Sequence, residues 1–198
     1  KTSMWNCIQH QLDGKSDISL SAGNTGVLLV ISRMILKMIN EVSKPALAGL
    51  WPTRKGMSVV MDLGANIECN DQNLIDFAKL GSALYKALFP NELPNVSILN
   101  VGSEEIKGTE MLKNASRRLR HLSNEDHFKY KGYIEGNNIL SGDSNVIITD
   151  GFTGNVALKT AEGTAKFITE SLNKSLTENI LKKILIIFSY FSLKKFKD

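Results

Sequence analysis

Apolar positions along the chain follow two periods, and the two alternate. "TGVLLVISRMILKMI" (25–39) is apolar around most of a helical circumference. "NLIDFAKLGSALYKALF" (73–89) repeats apolar residues at 74, 77, 78, 84, 85 and 88, which is helical spacing. "TEMLKNASRRLRHL" (109–122) and "NVALKTAEGTAKFITESLN" (155–173) predict two further helices. Between them lie short runs that predict strands: "DISLS" (17–21), "MSVVMDLGAN" (57–66), "NVSILNVG" (95–102), "HFKYKGYIEG" (127–136) and "NVIITD" (145–150). "PALAGLWP" (45–52), bounded by prolines, reads as an extended segment. Strands alternating with helices imply an α/β fold: three αβα layers around an open, mostly parallel sheet. No internal repeat or low-complexity stretch interrupts the pattern.

Four strand ends carry small and polar residues: "SAGNTG" (21–26), "DLGAN" (62–66), "NVGSEE" (100–105) and "DGFTGN" (150–155). Open α/β sheets bind ligands outside the carboxyl ends of their strands, often against helix N-termini. Ser21, Asn24, Thr25 and Asn155 also suit helix N-caps, and any one loop is explained by capping alone. Four such loops on one edge point to a shared ligand site.

Composition narrows the ligand. Apolar residues make up 42% of the chain and charged residues 22%, as in an ordinary globular protein. The net charge of +4 belongs to the end of the chain. From Lys174 onward six lysines face Glu178 and Asp198, whereas residues 1–173 hold equal numbers of basic and acidic groups. A general nucleic-acid surface is therefore not expected. Cys7 and Cys69, and His10, His121 and His127, lack metal-ligand spacing, so no metal is expected. No G-x-G-x-x-G follows a strand, "GKS" (14–16) lacks the earlier glycine of a nucleotide loop, and no G-x-S-x-G elbow is present. "SAGNTG" remains, with small residues that let backbone N–H groups approach a phosphate or carboxylate.

"SAGNTG", "DLGANIEC", "LNVGSEEIKGTE" and "DGFTGNVALKTAEGTA" together resemble, in order, the signature blocks of the bacterial phosphate acyltransferase family of phospholipid synthesis (PlsX). The likeness runs through nearly all 198 residues. It implies an isocitrate/isopropylmalate dehydrogenase-like fold, incomplete at both ends, and a homodimer. It also implies transfer of a long-chain acyl group from acyl carrier protein to inorganic phosphate, with no organic cofactor. The product would feed a membrane glycerol-phosphate acyltransferase. By this analogy and by the loop geometry, Ser21, Asn24, Thr25 and Gly26 bind phosphate and Asp150 and Asn155 are catalytic. Thr153, Gly154, Asn66, Glu104 and Lys107 line the thioester or pantetheine arm, with Glu105 beside them.

Residues 1–173 are expected to form the central part of one acyltransferase domain, and 174–198 a basic amphipathic helical segment of it. The family's "DAMGGD"-like opening and "HGS"-type closing segments have no counterpart in these 198 residues. A second reading is therefore carried along: an inactive fragment that keeps only carrier-protein or dimer contacts. "RRLRHL" (117–122) would serve it as a basic helical face. The uncharged run from Ile184 to Leu193 is too short to span a bilayer. With lysines on both sides it suits the membrane surface, through Ile187, Phe188 and Phe191. The expected location is cytoplasmic, peripheral to the inner face of the membrane.

Overall fold

The computed structural model describes residues 2–123 and 128–177. The expected membrane contacts Ile187, Phe188 and Phe191 lie outside the described residues. The chain divides into two compact units, 1–155 and 156–198.

The first unit is built on a five-stranded sheet in the order β1-β2-β5-β3-β4. Its strands are β1 (Ala48–Thr53), β2 (Gly56–Met61), β3 (Asn95–Leu99), β4 (Lys129–Ile134) and β5 (Val146–Ile148). β1 pairs antiparallel with β2, and the other pairings are parallel. The segment expected only to be extended at 45–52 is thus an edge strand. Pro52 is tolerated there because an edge strand need not donate on both sides.

Two helices, α3 (Asp71–Leu88) and α4 (Glu110–Leu122), cover one face of the sheet. Val59 and Met61, Val96 and Ile98, and Val146 and Ile148 point to that face, where Leu74, Phe77, Ala78, Ala115 and Leu119 meet them. Residues between these, such as Val60 and Ile147, are equally buried. Burial on both faces is why β5 reads as an unbroken apolar run, while β2 and β3 each carry one buried serine, Ser58 and Ser97.

From β2 through α3 to β3, and through α4 to β4, the chain steps in one direction. The return from β4 to β5 goes the other way, so a right-handed crossover must pass over the opposite face. That connection contains a 3-10 turn, Gly136–Ser141. The Arg54 N–H donates to the Leu140 carbonyl (3.0 Å), and the Ser97 and Ser144 hydroxyls are hydrogen-bonded at 2.7 Å. β5 therefore lies between β2 and β3, which places three loops side by side.

The start of the chain adds one element to the expected set and corrects two. Residues 3–12 form an unforeseen helix, α1 (Ser3–Leu12), capped by the Thr2 hydroxyl on the Trp5 N–H. Its polar Asn6, Gln9, His10 and Gln11 dilute the apolar period. The segment 17–21 is not a strand. It folds back on α1, with the Ser19 hydroxyl donating to the Cys7 carbonyl at 3.2 Å. Ile18 and Leu20 alternate as a strand would, yet they are 80% and 90% exposed. Alternation makes a strand only where a neighbouring strand supplies the ladder. Helix α2 (Thr25–Leu36) is shorter than expected and ends where Lys37 takes a positive φ of 63°.

Helix α5 (Gly151–Thr177) begins in the first unit, and its later turns form the described part of the second. Lys159–Glu162 (2.7 Å) and Lys166–Glu170 (3.9 Å) pair along its exposed surface, each worth only a few tenths of a kcal/mol.

Two glycine substitutions separate packing from helix propensity. A Cβ at Gly81 would lie 2.7 Å from Val146 Cγ1, between α3 and β5, whereas one at Gly163 meets nothing within 4 Å. Ala gains about 1 kcal/mol over Gly in either helix, but overpacking costs about 1–3 kcal/mol. Gly81→Ala should therefore lower the urea midpoint of the first unit. Gly163→Ala should raise helicity by circular dichroism, and the same sign at both positions would refute the packing account.

Candidate functional site

The carboxyl edge of the sheet is organised by a residue the sequence reading passed over. Asp62 directly follows β2 and is fully buried. Its Oδ1 accepts from the N–H groups of Leu47 (3.0 Å), Gly64 (3.1 Å) and Ala65 (3.0 Å). Its Oδ2 accepts from the Asn66 N–H (2.7 Å) and from the Asn66 side-chain amide (2.8 Å). That amide also donates to the Pro45 carbonyl at 2.6 Å. Asn66 lies in this loop, with its side chain engaged in holding it. One carboxylate gathers five donors and joins loop 62–66 to the segment that enters β1.

The "DGFTGN" turn locks onto this loop. The Gly151 N–H donates to the Asn66 carbonyl at 2.8 Å, and a Cβ on Gly151 would come within 2.5 Å of that same oxygen. At Gly154 a Cβ would lie 1.9 Å from the Asp62 carbonyl oxygen. Only glycine lets the first turn of α5 press against the end of β2, which explains the spacing of two residues between the glycines. Asp150 caps the helix: Oδ1 accepts from the Thr153 N–H (2.9 Å) and Oδ2 from the Thr153 hydroxyl (2.8 Å). Asn155 is exposed, and its side chain lies against Gly64, 3.4 Å from where a Cβ would sit. Asp150, Thr153, Gly154, Asn155 and Asn66 are therefore one construction. In that first turn the Phe152 N–H is left without a partner among the described residues.

The next loop leaves β3, the neighbour of β5. Asn100 is buried and closes it, accepting the Val101 N–H on Oδ1 (2.9 Å) and donating from Nδ2 to the Lys107 carbonyl (3.2 Å). A turn from the Glu104 carbonyl to the Lys107 N–H (3.1 Å) places both expected residues at the exposed tip. Glu105 pairs with Arg120 of α4 at 2.5 Å.

"SAGNTG" is not on a strand, and local hydrogen bonds fix it. The Gly23 N–H donates to the Ser21 hydroxyl (3.1 Å), and Asn24 caps α2 by accepting the Val27 N–H (3.0 Å). The Thr25 and Gly26 N–H groups have no partner among the described residues, and both residues are exposed. Such a pair at a helix N-terminus is suited to an anion.

Cys69, a free thiol just after loop 62–66, is no ready nucleophile. Burial pushes its pKa up, and its S–H donates to the Asn66 carbonyl at 3.6 Å. Among the described residues no group of three His, Cys, Asp or Glu side chains gathers as a metal site requires. The edge offers backbone N–H groups, neutral amides and capped carboxylates. Such groups hold and polarise a substrate that brings its own nucleophile.

The family model described as "Fatty acid synthesis protein" matches residues 1–198. The chain belongs to this family. A protein of Pelagibacter ubique named phosphate acyltransferase is 58% identical over 197 residues, covering 100% of this chain and 59% of its own length. One of the same name from Chelativorans sp. is 44% identical over 198 residues, 100% of this chain and 56% of its own. The chain thus spans a little over half the length of the curated relatives it matches. Among solved structures, the EutD phosphotransacetylase from Staphylococcus aureus is similar, with a TM-score of 0.64 and 19% identity. That likeness covers 82% of this chain and 56% of the other. A phosphotransacetylase from Streptococcus pyogenes follows, with a TM-score of 0.61 and 16% identity over 82% of this chain and 55% of the other. These structures share the α/β fold of this chain.

Asp62 carries the local prediction. Asp62→Ala leaves several buried donors unsatisfied, at about 1–3 kcal/mol for each one left dry. It should cost about 3 kcal/mol or more in urea unfolding, with Asn66→Ala costing distinctly less. Wild-type stability in Asp62→Ala would show that water replaces the carboxylate and that the loop does not depend on it.

Proposed function

We propose that these residues form the central part of an acyltransferase that moves a long-chain acyl group from acyl carrier protein to inorganic phosphate. The observation that carries the reading is the interlock of loops 62–66 and 149–155. It leaves Asn155 exposed at the carboxyl end of β5, in a chain whose relatives are named phosphate acyltransferase.

A phosphate oxygen attacks the thioester carbonyl carbon and a C–O bond forms. The carbonyl π pair moves to oxygen, then returns as the C–S bond breaks and the carrier thiolate leaves. Phosphate is already an anion at neutral pH, so holding it against the thioester supplies much of the acceleration. In this reading the Thr25 and Gly26 N–H groups hold phosphate, with Ser21 and Asn24 shaping the turn. Asn155 and the Phe152 N–H face the developing oxyanion, and Asp150 and Thr153 keep that turn rigid. Gly154, Asn66, Glu104 and Lys107 border the thioester arm.

The same reading places a homodimer in the cytoplasm, at the inner face of the membrane. There Ile187, Phe188 and Phe191 touch lipid and the acyl phosphate passes to a membrane glycerol-phosphate acyltransferase. No described helix is long and apolar enough to cross a membrane. Flotation of the complete protein with anionic liposomes should fall sharply in Ile187→Glu and Phe188→Glu, and undiminished flotation in both would remove the lipid contact.

The chemistry is tested by release of carrier thiol that depends on phosphate, measured in the complete protein. Asn155→Ala should lower kcat about 10²-fold or more, as loss of an oxyanion donor does. Its thermal midpoint should barely move, because the side chain is exposed. Asn24→Ala should raise the phosphate KM and cost about 1 kcal/mol of stability through the lost cap. Wild-type kcat in Asn155→Ala at saturating substrates would sink the assignment of the β5 edge.

A further inference from the structure

We propose that the exposed basic face of α4 is the docking surface for the acidic protein that carries the acyl thioester; the inference rests on the acyl-transfer reading above. Lys113, Arg117, Arg120 and His121 recur at helical spacing, while Ala115, Ser116 and Leu119 of the same helix are buried.

Neighbouring carboxylates already meet several of the charges on this helix. Lys113 pairs with Glu110 (3.0 Å), and Arg118 pairs with Asp71 (2.9 Å) while donating to Gln72 (2.5 Å). Arg117 differs, because it donates to the neutral Asn114 and meets no carboxylate among the described residues. Two hollows flank it. One, of about 170 Å³, is lined by Glu105, Lys113, Ser116, Arg117, Arg120 and Tyr133. The other, of about 400 Å³, is lined by Asp71, Asn114, Arg117, Arg118 and His121. A cation standing between two recesses suits acidic side chains from a protein surface better than a flat sheet of lipid headgroups.

Position agrees with that partner. Helix α4 starts from Thr109, at the end of the loop leaving the carboxyl end of β3. Arg117 lies eight residues farther on, about 12 Å along the axis at 1.5 Å per residue. A carrier seated on the helix would therefore lie beside the loop that, in the acyl-transfer reading, borders the thioester arm. The Arg120–Glu105 pair (2.5 Å) ties the surface to the same loop. An incoming carboxylate that competes for Arg120 frees Glu105, so docking and the site loop are joined through one ion pair.

The test is fluorescence anisotropy of labelled acyl carrier protein with the complete protein, its Arg117→Glu and Arg117→Lys variants, and phosphatidylglycerol vesicles as a parallel ligand. Reversal at Arg117 should weaken Kd about tenfold or more, with Arg117→Lys much closer to wild type and the thermal midpoint unchanged. Wild-type affinity should also fall as salt rises from about 50 to about 300 mM. Unchanged affinity in Arg117→Glu, or no carrier binding by the wild type, overturns the proposal. Vesicle binding lost in parallel with Arg117→Glu, without carrier binding, assigns the face to lipid and overturns it too. Carrier binding that depends on Arg117, without any acyl phosphate formed, sinks the acyl-transfer reading and leaves the surface standing.

Discussion

A buried carboxylate is expensive unless its oxygens are filled, and the carboxyl edge of this sheet is arranged around filling those of Asp62. Five donors converge on it, from residue 47 on one side and residues 64–66 on the other. The arrangement turns the end of β2 into a rigid shelf. Gly151 and Gly154 then let α5 rest on that shelf, backbone against backbone. Asn155 inherits its position from this chain of contacts, not from its own hydrogen bonds.

That dependence explains which parts of the molecule were legible in the sequence. The strands β2, β3 and β5 are rich in apolar residues and buried on both faces, so their runs stood out, and the turns after them were recognisable by glycine and asparagine. Asp62 was not singled out, although an aspartate two residues before a glycine at a strand end is a signature of side-chain-to-backbone turns. What was visible in "DLGAN" was the polarity of the loop; which residue was buried depended on how β5 inserts between β2 and β3. Order of insertion is a tertiary fact that no local period contains. The segment 17–21 failed for the complementary reason: its alternation was right, but a strand is defined by its neighbour.

The site residues divide along the same line. Caps are local, and Asn24, Asp150 and Thr153 act where short-range rules put them, whereas Gly154 answers to the Asp62 carbonyl across the sheet. Residues joined across the sequence were harder to read. Asn100 closing onto Lys107 and Glu105 reaching Arg120 require the loop to fold back beside α4, which composition does not announce.

The chemistry proposed for this edge is economical in a physical sense. An attacking anion supplied by the substrate removes the need for a buried base or an activated thiol. The Cys69 thiol, its pKa pushed up by burial, is in keeping with that. What such a reaction demands is precision in where two substrates meet. In the proposed reaction, rigid turns, helix N-termini with unpaired N–H groups and a cation for the macromolecular donor would all serve placement. Residues 1–173 are balanced in formal charge. The basic face of α4 therefore stands out only locally, at Arg117, where no carboxylate of the described chain answers it.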